Sequence, residues 1–274
     1  MNARFKLGLI YLAPIIVSLV FGVTCAFLIQ ASDVQRYMIT PFPEDVFGSF
    51  YNALYFVILV AAGASLIYLL LKRKNRKIIS VLTGFALTLA VFMLSVVYLS
   101  AVLSIFTVPY AEALILILSL LITVVAYFAI FRTHRLSNLV ILLLGGALGT
   151  FLGASIPTYS AVLILCFLAV YDAVAVFRGP VGKIAQSGLE KLRGLSFSFG
   201  DMQMGLGDLT FYSMLSGHMF LNFGPISCLA SVTGILAGCL LVLKMLEKKG
   251  MFPGLPFPIF LGLVTGFLAS YAHF

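Results

Sequence analysis

The sequence predicts an all-α, polytopic membrane protein with nine transmembrane helices. Three observations lead there. First, 62% of the 274 residues are hydrophobic and 9% are charged, with mean hydropathy +1.15, against about 45–50% and about 25% in soluble domains. Second, the apolar residues gather into runs of about 20, the length that crosses a bilayer as a helix. Third, the basic residues are confined to alternate connections between those runs.

The runs lie at roughly 7–29, 50–71, 78–103, 111–131, 138–156, 159–177, 207–223, 225–246 and 254–272. Together they predict one transmembrane domain over residues 1–274. The first run follows Arg4 and Lys6 and resembles a signal peptide, but it continues to Ile29 with no A-x-A site after it. A retained first helix is expected. Lys72 to Lys74 with Arg76 and Lys77 come next, then Arg132 and Arg135. Arg178, Lys183, Lys191 and Arg193 follow, and finally Lys244, Lys248 and Lys249. With the N-terminus inside, 16 of the 17 basic residues fall on the cytoplasmic side, Arg36 being the exception. The positive-inside bias thus predicts a cytoplasmic N-terminus and, with an odd number of spans, an external C-terminus.

The net charge of +8 reads as loop charge, since no basic face with interleaved aromatics suggests nucleic acid. The four cysteines, Cys25, Cys166, Cys228 and Cys239, lie apart in apolar runs and read as small buried residues, with no metal site or disulfide framework. Glycines at helical spacing (Gly145, Gly149 and Gly153; Gly234 and Gly238; Gly262 and Gly266) predict close helix packing. The connection at about 178–206 is the longest cytoplasmic one, with Gly179, Pro180, Gly188 and Gly194, and reads as a linker.

Nine acidic residues remain to be weighed. Asp33, Glu44 and Asp45 fall in the external loop between runs one and two; Glu190, Asp201 and Glu247 fall in cytoplasmic loops or helix ends. Glu112 suits the positive end of the fourth helix. Asp172 differs, because apolar residues flank it and Arg178 is six positions on, about 9 Å along a helix. Intramembrane acids mark functional sites by default. Asp208, behind Gly205-Leu206-Gly207, reads either as a loop-end N-cap or as a second membrane acid. Topology favours the latter: run six descends to Asp172 and run seven rises from Asp208, so both acids lie at similar depth on consecutive helices. Two carboxylates that close in a low dielectric share one proton. One then activates water while the other polarises a peptide carbonyl. Gly205 and Gly207 let a substrate backbone approach Asp208.

These residues resemble the presenilin and signal peptide peptidase family of intramembrane aspartyl proteases. Tyr171-Asp172, Gly205-Leu206-Gly207-Asp208 and Pro253-Gly254-Leu255 stand where that family carries its YD, GxGD and PAL motifs, in the same order and the same spans. The resemblance implies Asp172 and Asp208 as catalytic dyad and Tyr171, Gly205, Leu206, Gly207, Pro253, Gly254 and Leu255 as substrate-binding or supporting residues. It also implies no cofactor or metal and, as partners, the lipid bilayer and the transmembrane segments of substrate proteins. The N-terminus-inside orientation and short six–seven loop resemble archaeal-type presenilin homologues. Self-association into a homo-oligomer is left open. One departure is Gly254, where the family usually has alanine; a looser packing of this loop against the aspartates is expected. Pro256 and Pro258 follow, and as they lack an N–H an extended segment with open carbonyls is expected, able to hold substrate by strand addition.

Three alternatives are weaker. Prepilin peptidases also carry GxGD but lack the Tyr-Asp pair and the terminal Pro-x-Leu. No His-Glu-x-x-His is present for a zinc enzyme, and Ser216-Gly217-His218 reads as a bystander near the outer end of its helix. A cation- or proton-conducting channel or transporter using the same acids is the rival from another class.

Overall fold

The computed structural model describes residues 9–32, 39–73, 76–106, 108–132, 134–178, 196–199, 202–249 and 252–272. It is all-helical apart from one small hairpin. After a 3₁₀ turn at Leu9–Leu12 come α1 (Ala13–Ala31), α2 (Val46–Lys72), α3 (Arg76–Ile105), α4 (Ala111–Arg132), α5 (His134–Ser155) and α6 (Thr158–Arg178). Two strands, β1 (Ser196–Phe199) and β2 (Met202–Gly205), lead into α7 (Leu206–Lys249), and α8 (Pro256–Ala272) ends the bundle. Seven of these eight helices are long and apolar enough to cross a membrane, and α8 is shorter at 17 residues. The protein is therefore a multi-pass integral membrane protein. Most of the linker, 179–195, lies outside the described residues, as do Asp33, Arg36, Glu190 and Asp201.

α7 has 44 residues and a break at Gly224 (φ 88°, ψ 175°), followed by Pro225. That conformation is open only to glycine, and Pro225 cannot continue the hydrogen-bond ladder. The chain folds back there. A side chain at Gly262 would meet both Leu215 and Ile235, and one at Gly266 both Met219 and Ser231; Tyr212 reaches Cys239. Each pair joins the same level of the two halves, so the halves run antiparallel.

The glycine stripes make the contacts that their spacing predicts. A Cβ at Gly145 would strike Leu209, one at Gly149 would strike the backbone at Thr210 and Met214, and one at Gly153 would strike Met214 and His218. Successive turns of α5 thus meet successive turns of α7 in the same order, and the two run parallel. α1 runs parallel to α5 as well: Ser18 Oγ donates to Leu142 O at 2.9 Å and Thr150 Oγ1 to Gly22 O at 2.8 Å. On the other half of α7, Gly234 lies against Leu261 and Gly238 against Phe257 and Pro258, which sets α8 antiparallel to it. Leu209, Leu215, Met219, Ile235, Ile259 and Leu263 fill the core between them. Cys25, Cys228 and Cys239 are buried as expected; Cys166 is exposed on α6, because its neighbours Leu165 and Leu168 take the inward face.

At the end of the bundle where α5 gives way to α6, buried Asn52 closes the α1–α2 loop onto α6. Its Nδ2 donates to Phe42 O and Ser160 Oγ at 3.0 Å each, and its Oδ1 accepts from Phe42 N at 3.0 Å.

Gly224→Ala is expected to lower stability by about 1–3 kcal/mol through backbone strain alone. No atom lies within 4 Å of the position its Cβ would take. Thermal melting of the purified protein in detergent measures this.

Candidate active site

The site forms where α6, the start of α7 and the loop before α8 meet. Asp172 is half-buried six residues before the end of α6, and Asp208 is half-buried at the third residue of α7. Asp208 is thus inside the helix rather than its N-cap. It lies in the first turn, where backbone N–H groups have no helical acceptor and negative charge is favoured. The two carboxyl groups are close enough for their charges to interact.

The 252–255 loop joins them. Leu255 N donates to Asp172 Oδ2 at 3.0 Å, and the Gly254 N–H faces the same carboxylate. Gly254 packs on the other aspartate: an alanine methyl there would lie 2.8 Å from Asp208 Oδ2 and 3.2 Å from its Cγ. The expectation of loose packing at Gly254 is therefore wrong. Glycine permits a closer approach than alanine would, and the space a methyl would need is filled by the carboxylate. The Gly254 carbonyl accepts from Tyr212 Oη at 2.8 Å, while Pro253 and Leu255 are buried beside it.

The expected extended run through Pro256 and Pro258 is also wrong. α8 begins at Pro256, and Ile259 N donates to Leu255 O at 3.0 Å. Prolines at the first and third helical positions lack only N–H groups that have no helical acceptor anyway. The carbonyls of Gly254 and Leu255 each already accept one hydrogen bond, from Tyr212 Oη and Ile259 N, and the backbone from Pro256 on is helical rather than extended. The extended backbone lies instead in β1 and β2, paired antiparallel with Ser196 opposite Gly205 and Phe199 opposite Met202. β2 runs directly into the helix that carries Asp208.

Gly205 and Gly207 border open space. A Cβ at either would find its nearest neighbour 3.9 Å or 3.8 Å away. Leu206 is half-buried and packs against α5 near Gly145. Tyr171 is half-buried one position before Asp172 on α6, so it projects about a quarter-turn round the helix from it. Ser216 and His218 do not pair. Ser216 Oγ donates to Ser213 O at 3.2 Å, whereas His218 Nδ1 meets Gly153 O at 2.8 Å and Nε2 meets Thr158 Oγ1 at 3.2 Å.

Two participants escaped the sequence-based reading. Tyr212 stands one turn beyond Asp208 on the same helical face, and that i, i+4 spacing is the signal that could have found it. The hairpin has no comparable signal in SFSF and MQMG.

No protein-family model matches the chain. In sequence, an alignment 128 positions long is 33% identical to Presenilin-B of Dictyostelium discoideum; it covers 42% of this chain and 26% of that protein's length. In structure, the chain superposes on two solved structures, each of a presenilin family intramembrane aspartate protease. One, in space group C222, gives a TM-score of 0.69 at 19% identity over 95% of this chain and 98% of the other. The second, in P2, gives 0.67 at 21% identity over the whole of both chains. The chain carries the fold of the presenilin-family intramembrane aspartate proteases.

Proposed function

We propose that this chain, as one transmembrane protease domain, hydrolyses peptide bonds within the transmembrane helices of other membrane proteins. Asp172 and Asp208 act as an aspartyl dyad. The observation that carries this reading is the convergence of both carboxyl groups on one two-residue stretch, Gly254-Leu255. Together the pair holds one proton. The ionised carboxylate takes a proton from water as its oxygen attacks the scissile carbon. The protonated partner gives its proton to the carbonyl oxygen, forming a gem-diol. When the gem-diol collapses, one hydroxyl proton returns to the dyad, the C–N bond breaks and the departing nitrogen takes a proton from the other carboxyl. The products are a carboxylic acid and an amine, and the pair again holds one proton.

Gly205 and Gly207 leave room beside Asp208 for a substrate backbone. Among the described residues the β1–β2 hairpin pairs with no third strand, and an unwound substrate adds to its edge by strand addition. Pro253 and Leu255 hold the loop, Leu206 seats the start of α7, and Tyr171 lines the approach. The reading includes nine crossings, with the N-terminus in the cytoplasm and the C-terminus outside. The antiparallel halves of α7 count as two crossings and α8 as the ninth. The shared direction of α1, α5 and the first half of α7 supports this count, as does the placement of 16 of 17 basic residues on one side.

Asp172→Asn and Asp208→Asn are each expected to lower cleavage of a transmembrane-helix peptide by about 10³-fold or more, measured with purified protein in detergent. Cleavage that persists in both, or a wild type that conducts ions and never cleaves, overturns the proposal. The wild-type rate is expected to be bell-shaped in pH, since one proton must stay on the pair; a flat profile between pH 4 and about 9 contradicts it. Gly254→Ala is expected to cost about 10²-fold in kcat by displacing Asp208, against no change if the loop gives way freely.

A further inference from the structure

A single amide group lies between the two helices that carry the aspartates. Its N–H, from Leu255, donates to Asp172 Oδ2 at 3.0 Å; its C=O, from Gly254, accepts from Tyr212 Oη at 2.8 Å. Both belong to one peptide unit, which is planar and resists twisting. Tyr212 is four residues beyond Asp208, hence on the same face of α7 one turn higher. We propose that Tyr212 is a positioning residue for the dyad. Its hydroxyl, acting through the rigid Gly254–Leu255 peptide, sets where the Asp172 carboxylate stands relative to Asp208. This rests on the reading of the two aspartates as the protease dyad.

Tyr212 is 1% exposed within an apolar core. Packing there would be served equally by phenylalanine, and a buried hydroxyl is tolerated only when it is hydrogen-bonded. Here the partner is the Gly254 carbonyl. The phenol oxygen also meets the Cys239 thiol from the second half of α7. The ring is thus fixed between the two halves of α7, and its hydroxyl direction is set.

The effect on Asp172 has two parts. Holding the carbonyl end fixes the plane of the peptide, and with it the direction of the N–H. An amide that accepts at oxygen is also a stronger donor at nitrogen. Asp208 closes the geometry from the side, lying where a methyl at position 254 would be. One planar group therefore touches both aspartates, and Tyr212 is the anchor that keeps it from rotating.

The test is Tyr212→Phe, which removes the hydroxyl and keeps the ring. Expected are a fall of about tenfold in kcat, the effect of one hydrogen bond, with KM within twofold, and faster hydrogen exchange at the Leu255 amide. A variant with wild-type kcat, or one that loses only thermal stability, overturns the positioning role. Asp172→Asn and Asp208→Asn run beside it. If they still cleave, the protease reading fails; if they are inactive while Tyr212→Phe is fully active, only the role of Tyr212 fails. Should Tyr212→Phe not fold, wild-type protein decides: slow exchange of the Leu255 amide supports the bridge and exchange at the rate of an open loop overturns it.

Discussion

Backbone contact at glycine holds this bundle together. In lipid, burying an apolar side chain between helices gains little over leaving it in the acyl chains, so association depends on close packing and interhelical hydrogen bonds. α7 lies at the centre because it is approached closely on both of its halves. Gly149 and Gly153 of α5 leave no room for a methyl against the first half. Gly234 and Gly238 of the second half leave none against α8. Asp208 therefore stands on the most firmly held helix of the protein. Asp172 stands on α6, and its link to α7 runs through the loop before α8.

That loop answers a need created by the helices themselves. Beyond its first turn, a helix has no spare N–H, although each of its carbonyls keeps a free lone pair. The hydroxyls crossing the bundle accordingly donate to carbonyls: Ser18 to Leu142, Thr150 to Gly22, Tyr98 to Ala147 and Thr265 to Ala230. A carboxylate needs donors instead, and only a break in helical structure provides them. The Phe252–Leu255 segment is such a break, and it brings its N–H groups to Asp172.

Much of this was legible in the sequence. Apolar runs located the helices to within a few residues, because a bilayer imposes both length and composition. The turnaround between runs seven and eight fell on Gly224-Pro225, the least helical dipeptide in that stretch. The two aspartates stood out because charge is scarce in membrane segments. What escaped depended on neighbours. Gly254 shows only its small size in sequence, whereas its meaning comes from the Asp208 carboxylate lying against it. Pro256 and Pro258 look in sequence like barriers to regular structure, yet the opening turn of a helix has no use for the N–H they lack. The hairpin escaped because four-residue strands carry too little pattern to separate them from a linker.

The turnaround at Gly224 has a consequence for chain length. Tyr212 is level with Cys239, and the return leg runs on to Lys249 before the chain comes back to Gly254. A single residue inserted just after Pro225 would move the return helix by 1.5 Å and rotate it by 100°, carrying Gly234 and Gly238 off α8 and Cys239 off Tyr212. The number of residues separating Tyr212 from Cys239 is thus a ruler, and the register of the two legs is kept by counting turns of helix.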